Sequence, residues 1–199
     1  DSVDTQYGDQ KIYLGDGDDS LTGGDGNLIV KAGDGNDDIT IFSDSDKTNI
    51  VDGGAGDDYI TTYDSADKLT GGSGNDEVAS GGGDDVIYGN SGDDTIDGED
   101  GDDLIIGGTG DDVLTGGYGS DTFVFNSTSG DDIIMDFDLE DALQFNVDLS
   151  KFDIVFTEDY GGFLCEVQDK QTHETVSSVD IGTVGVNEFV FQDGLFVGA

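Results

Sequence analysis

The stretch GGTGDDVLT (residues 107–115) is followed directly by GGYGSDTFV (residues 116–124), a second nine-residue unit of the same design. Both units have glycine at positions 1, 2 and 4, aspartate at position 6 and an apolar residue at position 8. The glycine-rich part favours a tight turn, and the remaining part favours an extended segment. A unit this short cannot bury its apolar residue alone, so adjacent copies predict a structure in which units stack.

The unit, written G-G-x-G-x-D-x-U-x with U apolar, recurs thirteen times in a fixed phase. Four copies cover residues 5–40 and nine cover residues 44–124, with three extra residues, Ile41–Ser43, between the two runs. Position 8 is apolar in every copy, as Ile12, Leu21, Val30, Ile39, Val51, Ile60, Leu69, Val78, Ile87, Ile96, Ile105, Leu114 and Phe123. Disordered sequence has no physical reason to keep such a phase, so we interpret position 8 as the interior. We expect Ile41–Ser43 to bulge out of the stack while Val51 stays within it.

The composition is strongly acidic, with 47 Asp and Glu residues against 6 Lys and Arg and a formal net charge of −41. Charge of this sign repels nucleic acid and anionic membranes and makes the compact chain repel itself. The 34 glycines, with no proline, add a large ordering entropy. We therefore expect no nucleic-acid partner and a need for bound cations in folding. No apolar run approaches the ~20 residues that span a bilayer, which predicts no membrane insertion.

The only ligands that the turns can offer to a metal ion are oxygen atoms. Glycines at positions 2 and 4 admit positive φ, so that backbone carbonyls can converge, and the aspartate at position 6 adds a carboxylate. Hard oxygen ligands from flexible loops suit Ca²⁺ better than Mg²⁺ or zinc. One turn supplies about half of the six to eight oxygens that Ca²⁺ takes, so each ion is expected to bridge turns two units apart.

The quoted units resemble the repeats-in-toxin (RTX) family, whose nonapeptide is a haemolysin-type calcium-binding repeat. The resemblance covers residues 5–124. It implies an all-β fold, a parallel β-roll (right-handed solenoid) at residues 1–124, with ions held between turns by the sixth-position aspartates. It also implies a protein secreted by a Gram-negative bacterium, whose C-terminus is read by a type I secretion apparatus.

Two units make one coil of eighteen residues, so the sixth positions fall alternately on two edges of the roll. The continuous edge has an aspartate each time: Asp19, Asp37, Asp58, Asp76, Asp94 and Asp112. The interrupted edge has Gln10, Leu28, Asn49, Asp67, Asp85, Asp103 and Asp121. We predict that the ten aspartates are Ca²⁺ ligands and that seven or eight ions bind, five of them on the continuous edge. On the interrupted edge, Gln10 and Leu28 are expected to satisfy their turns by packing or hydrogen bonding.

The repeat ends after Val124, and residues 125–199 form a predicted second domain, a β-rich cap with a possible secretion signal. Short strands separated by turn residues are predicted at 121–125, 131–138, 142–145, 153–156, 161–167 and 187–197. An antiparallel cap would cover the open core and free strand edges at the end of a solenoid. DTFVF and the residues after it also resemble the segment that succeeds the repeats in RTX proteases, lipases and alginate epimerases.

Catalytic groups are scarce, and we predict no enzyme activity in this chain. His173 lies in a polar run, and Cys165 shares a predicted strand face with Phe163 and Val167, which favours core packing. The chain starts at Asp1 without a basic or apolar leader, so no cleavable N-terminal signal is expected.

The predicted function is a Ca²⁺-binding module that folds after secretion and supports the export and folding of a larger extracellular protein, with an upstream domain as partner. Two contexts stay open. One is the fold-assisting tail of a toxin, protease or lipase, and the other is a polysaccharide-binding module beside an epimerase, lyase or adhesin domain. The outward residues Val86, Tyr88, Leu104, Ile106 and Val124 form a predicted apolar contact surface, with the C-terminal segment as the expected contact.

Overall fold

The computed structural model describes residues 1–159, 162–182, 189–192 and 195–198. These residues form strands and connecting turns, and no helix among them is long and apolar enough to cross a membrane. In the repeat region the strands are β1 (Ser2–Asp4), β2 (Gln10–Asp16), β3 (Ser20–Gly23), β4 (Leu28–Asp34), β5 (Asp38–Ile41), β6 (Ile50–Ala55), β7 (Tyr59–Thr61), β8 (Lys68–Ser73), β9 (Glu77–Ala79), β10 (Val86–Ser91), β11 (Thr95–Asp97), β12 (Leu104–Thr109), β13 (Val113–Thr115) and β14 (Thr122–Phe125). They are followed by β15 (Asp131–Ile134), β16 (Ala142–Phe145), β17 (Phe152–Asp159), β18 (Gly162–Asp169), β19 (Thr175–Gly182), β20 (Phe189–Gln192) and β21 (Leu195–Gly198).

Two parallel sheets form the opposite faces of a β-roll. Strands β1 to β15 with odd numbers follow one another in one sheet, and strands β2 to β16 with even numbers follow one another in the other. In most coils equivalent residues pair eighteen positions apart, as Ile87 does with Leu69 and Ile105. The parallel β-roll expected from the nonapeptide period is confirmed.

The interior is a double file of position-8 side chains. All thirteen are buried, and from Leu21 to Phe123 each is at most 1% exposed. Fully burying one such side chain contributes about 1.5–3 kcal/mol, so the file is the main apolar contribution to stability. The file continues beyond the recognised repeats, because Ile134 pairs with Leu114 and Leu143 pairs with Phe123.

The three extra residues do not lie where the sequence places them. Ile41 is fully buried and pairs with Gly23, and Ser43 is also buried, so the expected bulge at Ile41–Ser43 is wrong. The added length falls instead in a longer turn over residues 42–49, where Lys47 donates its backbone N–H to the carbonyl of Asp44. Val51 stays in the stack between Val30 and Leu69, as expected.

The C-terminal part contains the expected antiparallel strands. β17, β18 and β19 form an antiparallel sheet whose strand β19 pairs parallel with β15, while β20 and β21 form a hairpin that pairs antiparallel with β16. β19 was not predicted, although Val179 and Ile181 alternate with polar residues. Parts of two predicted strands, at 161, 187–188 and 193–194, lie outside the described residues. The parallel pairing extends past Val124, and the division into domains at residue 124 stays a prediction.

Candidate metal sites

In most units the turns stack so closely that a Cβ atom at position 2 or 4 would meet the backbone of the preceding coil. Gly54 and Gly56, at positions 2 and 4 of their unit, have φ of 111° and 126°. A Cβ atom added at either residue would collide with the backbone carbonyl of Gly33 or Gly35 in the preceding coil. The glycines therefore allow both the left-handed conformation and the close approach of carbonyl oxygens along each edge.

The sixth-position aspartates form a ladder along each edge. On the continuous edge, the backbone N–H of each aspartate donates to the Oδ1 atom of the aspartate in the next coil, as from Asp58 to Asp76 at 2.8 Å. The same bond joins Asp85 to Asp103 at 2.8 Å and Asp103 to Asp121 at 3.0 Å on the interrupted edge. One carboxylate oxygen of each aspartate thus accepts a hydrogen bond that keeps neighbouring turns in register.

The second oxygen of most of these aspartates is buried without a hydrogen-bond partner. Among the described residues this holds for Oδ2 of Asp19, Asp37, Asp58, Asp76, Asp85, Asp94, Asp103, Asp112 and Asp132. A buried oxygen that carries charge and has no donor is costly, and a row of them at one period requires an explanation. The position-1 glycine leaves room beside this oxygen, since a Cβ atom on Gly53 would collide with Oδ2 of Asp58.

Burial raises the pKa of four of these carboxyl groups, Asp58, Asp85, Asp94 and Asp103, and neighbouring acids raise it further. The pKa of Asp58 rises to about 6, that of Asp85 and Asp94 to about 7 and that of Asp103 to about 8. Burial is the largest cause for all four, and the acids of adjacent coils add electrostatic repulsion. Without a cation the edges therefore hold carboxyl groups that resist ionisation.

Asp67 differs from the other predicted ligands because both of its carboxylate oxygens are already satisfied. The Nδ2 atom of Asn49 donates to its Oδ1 at 3.0 Å and its Oδ2 at 3.3 Å, and the Ser65 hydroxyl donates to both. Asn49 also donates to the Ser43 hydroxyl, and its Oδ1 accepts the backbone N–H of Leu28. An amide and a hydroxyl thus satisfy the Oδ2 atom, which most other sixth-position aspartates leave without a partner.

This network agrees with the expectation that Leu28 satisfies its turn without an aspartate. Leu28 is 1% exposed and packs in the core, and its N–H is bonded to Asn49. Gln10 is half-buried, and its backbone N–H donates to the carbonyl of Asn27. Asp121 keeps its ladder bond but does not belong to the row of buried oxygens without a partner.

Two acids beyond the predicted ten continue the ladders. Asp112 donates its N–H to Oδ1 of Asp132 at 3.0 Å, and Asp121 donates to Oδ1 of Asp141 at 3.0 Å. The GDD at residues 130–132, with Ile134 after it, matches positions 4 to 6 and 8 of the unit. The match was missed in the sequence because these residues are shifted by two positions from the nine-residue period. Asp141 is satisfied, because its Oδ2 accepts the N–H of Asp138, whereas Oδ2 of Asp132 has no partner.

Within the described residues, no group of three or more acidic, histidine or cysteine side chains gathers around one point. Any ion held between two sixth-position aspartates would therefore need backbone carbonyls to complete its coordination, as the ligand number of Ca²⁺ requires. His173 is exposed in a turn, and Cys165 is buried beside Val167, both as expected. Burial raises the pKa of the Cys165 thiol, which makes it unreactive.

The comparisons with known proteins concern the repeat region and the fold. The model of the RTX calcium-binding nonapeptide repeat family matches residues 4–39 and, in overlapping stretches, 44–78, 71–105, 79–114 and 97–134, more than half of the chain. No protein with a curated description matches the sequence.

Among solved structures, the extracellular lipase LipA from Serratia marcescens is similar, with 20% identity, 90% of this chain and 37% of the lipase chain covered, and a TM-score of 0.48. The AlgE6R3 subunit of the Azotobacter vinelandii mannuronan C5-epimerase is also similar, with 26% identity, 59% of this chain and 72% of that chain covered, and a TM-score of 0.41. The chain thus spans little more than a third of the length of the lipase.

Proposed function

Because this chain belongs to the RTX family, whose nonapeptide repeats bind calcium, we propose that it is a module that folds when calcium binds along its two edges. In this proposal it assists the export and folding of a larger secreted protein and has no catalytic role of its own. The protein would leave a Gram-negative cell through a type I secretion apparatus, with the upstream domain of the same polypeptide attached.

The row of buried Oδ2 atoms carries this proposal. Each belongs to a carboxyl group that is buried and faces like charges in adjacent coils, in a chain of net charge −41. Bound divalent cations would neutralise the edges and replace the missing donors with oxygen ligation, which is the chemistry of Ca²⁺ sites. Carbonyls brought close by Gly54, Gly56 and their equivalents would supply further ligands.

The proposed ligands are the sixth-position aspartates on both edges. Asp19, Asp37, Asp58, Asp76, Asp94 and Asp112 would hold five ions in the gaps of the continuous edge. Asp85, Asp103 and Asp121 would hold two on the interrupted edge. Because Asn49 and Ser65 already satisfy Asp67, its gap is the least suited to an eighth ion, and we favour seven over eight in these positions.

Folding and binding would be coupled. Where calcium is scarce, as in the cytosol, charge repulsion would keep the chain expanded and able to pass an export channel. Outside the cell, sites with dissociation constants of ~10⁻⁴–10⁻³ M, typical of extracellular modules, would fill and the coils would close. The module therefore acts as a switch that responds to compartment.

A far-UV circular dichroism titration of the whole chain tests this function. In chelator the spectrum should be that of a largely disordered chain, and Ca²⁺ should add β signal while Mg²⁺ adds far less, because Mg²⁺ demands a strict octahedron. A chain that is fully folded in chelator at neutral pH would overturn the proposal. Calorimetric titration then counts ions, and three or fewer ions, or equal numbers on both edges in a calcium-bound crystal structure, would contradict the site assignment.

A second candidate function, polysaccharide binding, is favoured by one surface. The outward side chains of Tyr88, Leu104 and Ile106 line a shallow groove together with Asn126, Gln144 and Asn146. An aromatic ring beside amide groups is a mixture of apolar and polar contacts that suits a sugar ring. Titration of neutral and uronic-acid oligosaccharides into the calcium-loaded chain tests this, with Tyr88→Ala as the variant. Equal binding by both proteins, or none by the wild type, would exclude the groove.

The contact between the C-terminal segment and this outward surface stays a prediction. Of the five residues predicted to form the surface, Val124 is buried and the other four are half-buried. Three residues of the C-terminal part line the groove beside them: Asn126, Gln144 on β16 and Asn146 just after it.

A further inference from the structure

We propose that Asp112 and Asp132 hold one further calcium ion at the junction between the roll and the C-terminal strands, and that this ion couples docking of those strands to calcium. The inference rests on the proposed calcium-dependent folding and extends it to a site outside the predicted ten ligands. Asp112 directly precedes β13, and Asp132 lies at the start of β15, just after the turn from β14 in which the sequence departs from the nonapeptide period.

Asp132 repeats the structural environment of the continuous-edge aspartates. It is 2% exposed, its Oδ1 accepts the N–H of Asp112 at 3.0 Å, and its Oδ2 is buried without a partner. The bond from Asp94 to Asp112 in the preceding coil is equivalent and measures 2.9 Å. None of the ion pairs formed among the described residues involves Asp132, so no protein cation compensates its charge.

The backbone of this turn also follows the repeat. Gly130 stands at position 4 with φ of 101°, and a Cβ atom there would collide with the carbonyl oxygen of Gly110, as one on Gly110 would with that of Gly92. Along the continuous edge the position-5 residues form an outer ladder, in which each backbone N–H donates to the position-5 side chain of the preceding coil. Asp131 continues this outer ladder, since its N–H donates to Oδ1 of Asp111 at 3.0 Å. A carboxylate oxygen without a donor thus lies in a turn that keeps the close carbonyl stacking of the proposed sites.

The opposite edge ends differently, which makes the asymmetry informative. Asp141 is the equivalent last acid there, and it is also buried. Both of its oxygens accept backbone N–H groups, Oδ1 from Asp121 at 3.0 Å and Oδ2 from Asp138 at 2.8 Å. On that edge the last acid has both oxygens hydrogen-bonded, whereas the last acid of the continuous edge, Asp132, has one oxygen without a partner.

The same turn is the place where the C-terminal sheet joins the roll. The backbone N–H of Ser178 on β19 donates to the carbonyl of Gly130 at 2.9 Å, and its hydroxyl donates to Asp131 at 2.8 Å. Asp132 pairs with Val179, and Val179 pairs with Cys165 on β18. Repulsion between Asp132 and the neighbouring acids would loosen this turn, so neutralising it with an ion would favour docking of β19.

Cys165 is the single cysteine of the chain and is 0% exposed, so its labelling by a maleimide reports whether the C-terminal sheet is docked. The test compares the wild type, Asp132→Asn and the matched control Asp141→Asn as whole chains. Calcium stoichiometry is measured by calorimetry, β content by far-UV circular dichroism, and the labelling rate of Cys165 at a fixed calcium concentration.

We expect Asp132→Asn to bind one ion fewer than the wild type and Asp141→Asn to bind the same number. At calcium 100 times the dissociation constant, loss of an ion that binds only the docked state should speed Cys165 labelling about 100-fold in Asp132→Asn, while the roll keeps its β signal. An unchanged ion count or unchanged protection in Asp132→Asn would overturn the inference while leaving the proposed function intact.

If Asp132→Asn gains no β signal with calcium, the calcium dependence of Cys165 labelling in the wild type tests the inference instead. Protection of Cys165 that rises with calcium supports the coupling, and protection that persists in chelator overturns it. Failure of the proposed function would look different, since the far-UV signal of the wild type itself would not respond to calcium.

Discussion

At the sixth position of the repeat, Asp94 and Asn49 occupy equivalent places on opposite edges of the roll. Asp94 accepts one backbone N–H and leaves its Oδ2 buried without a partner. Asn49 accepts the equivalent N–H, from Leu28, and its amide nitrogen donates to the carboxylate of Asp67. A carboxylate cannot donate, so Asn49 supplies its turn with a hydrogen-bond donor that an aspartate at this position cannot.

Replacing Asp94 by alanine should lower the calcium stoichiometry by two ions, because its carboxylate faces the gaps to Asp76 and Asp112. Calorimetric titration of the whole chain measures this. Asp93→Ala is the matched control, since Asp93 lies in the same turn but is exposed and bonded only along the outer ladder. An ion count that falls equally in both variants would show that the loss comes from charge and not from ligation.

Replacing Asn49 by alanine should leave the ion count unchanged but reduce stability. The substitution removes the amide that satisfies Asp67 and leaves buried groups without partners, which costs about 1–3 kcal/mol. Urea denaturation at saturating calcium measures the loss, and calorimetry checks the stoichiometry. If the variant binds one ion fewer, Asn49 is a ligand and its turn is not metal-free.

At the scale of the turn, glycine decides how closely successive coils can stack. Position 2 has positive φ in most units, including two occupied by other residues, Asn90 at 80° and Glu99 at 66°. The longer turn at residues 42–49 contains no glycine and no residue with positive φ. Asn49 and Ser43 are joined there by a hydrogen bond.

Gly72→Ala should destabilise the calcium-bound roll by at least about 1–3 kcal/mol, the usual cost of a strained backbone conformation. Gly72 has φ of 133°, and a Cβ atom there would collide with the carbonyl of Gly54. Urea denaturation at saturating calcium measures the change. Asn90→Gly, at the same position two units later, is the control and should not destabilise, because glycine adopts this φ without strain. Equal stability of Gly72→Ala and wild type would contradict the stacking argument.

Over the whole molecule, the net charge of −41 opposes compaction, and the buried acids concentrate that opposition along the two edges. The pKa values of Asp103 and Asp132 rise to about 8, with burial as the largest cause. A group whose pKa is higher in the folded chain stabilises the fold when it is protonated. Its contribution is complete below its unfolded pKa and is lost as the pH rises through its folded pKa.

In chelator, the folded roll should therefore be most stable below pH about 4 and should lose that stability as the pH rises from about 6 to 8. Far-UV circular dichroism against pH in chelator measures this. The double variant Asp85→Asn, Asp103→Asn should flatten the profile between pH 6 and 8, since it removes groups with pKa values of about 7 and about 8. The control pair Asp57→Asn, Asp93→Asn removes exposed acids and should not, and an equal effect of both pairs would assign the profile to net charge alone.

Sequence alone determined the period, the apolar file and the alternation of edges. These features arise from local chemistry, because a nine-residue unit must place its glycines in turns and its position-8 residue in the interior wherever it stands. The thirteen predicted interior residues and the glycine turns are accordingly found as expected. The residues of the longer turn could not be located from the period. The period shows that three residues are extra, but it does not show which residues lie outside the stack.

Only the tertiary structure decided which acids lack a partner, because that depends on groups far apart in the chain. Asp67 is satisfied by Ser65 of its own unit and by Asn49, which lies eighteen residues earlier and reaches it only because the two coils stack. Asp132 stands outside the nonapeptide phase, yet the stacking of β13 on β15 brings it under Asp112 with an unpaired oxygen. The pairing of β15 with β19 likewise joins residues more than forty positions apart, which no local pattern records. Local periodicity thus specifies the coil, and contacts between coils specify which carboxylate oxygens have no partner.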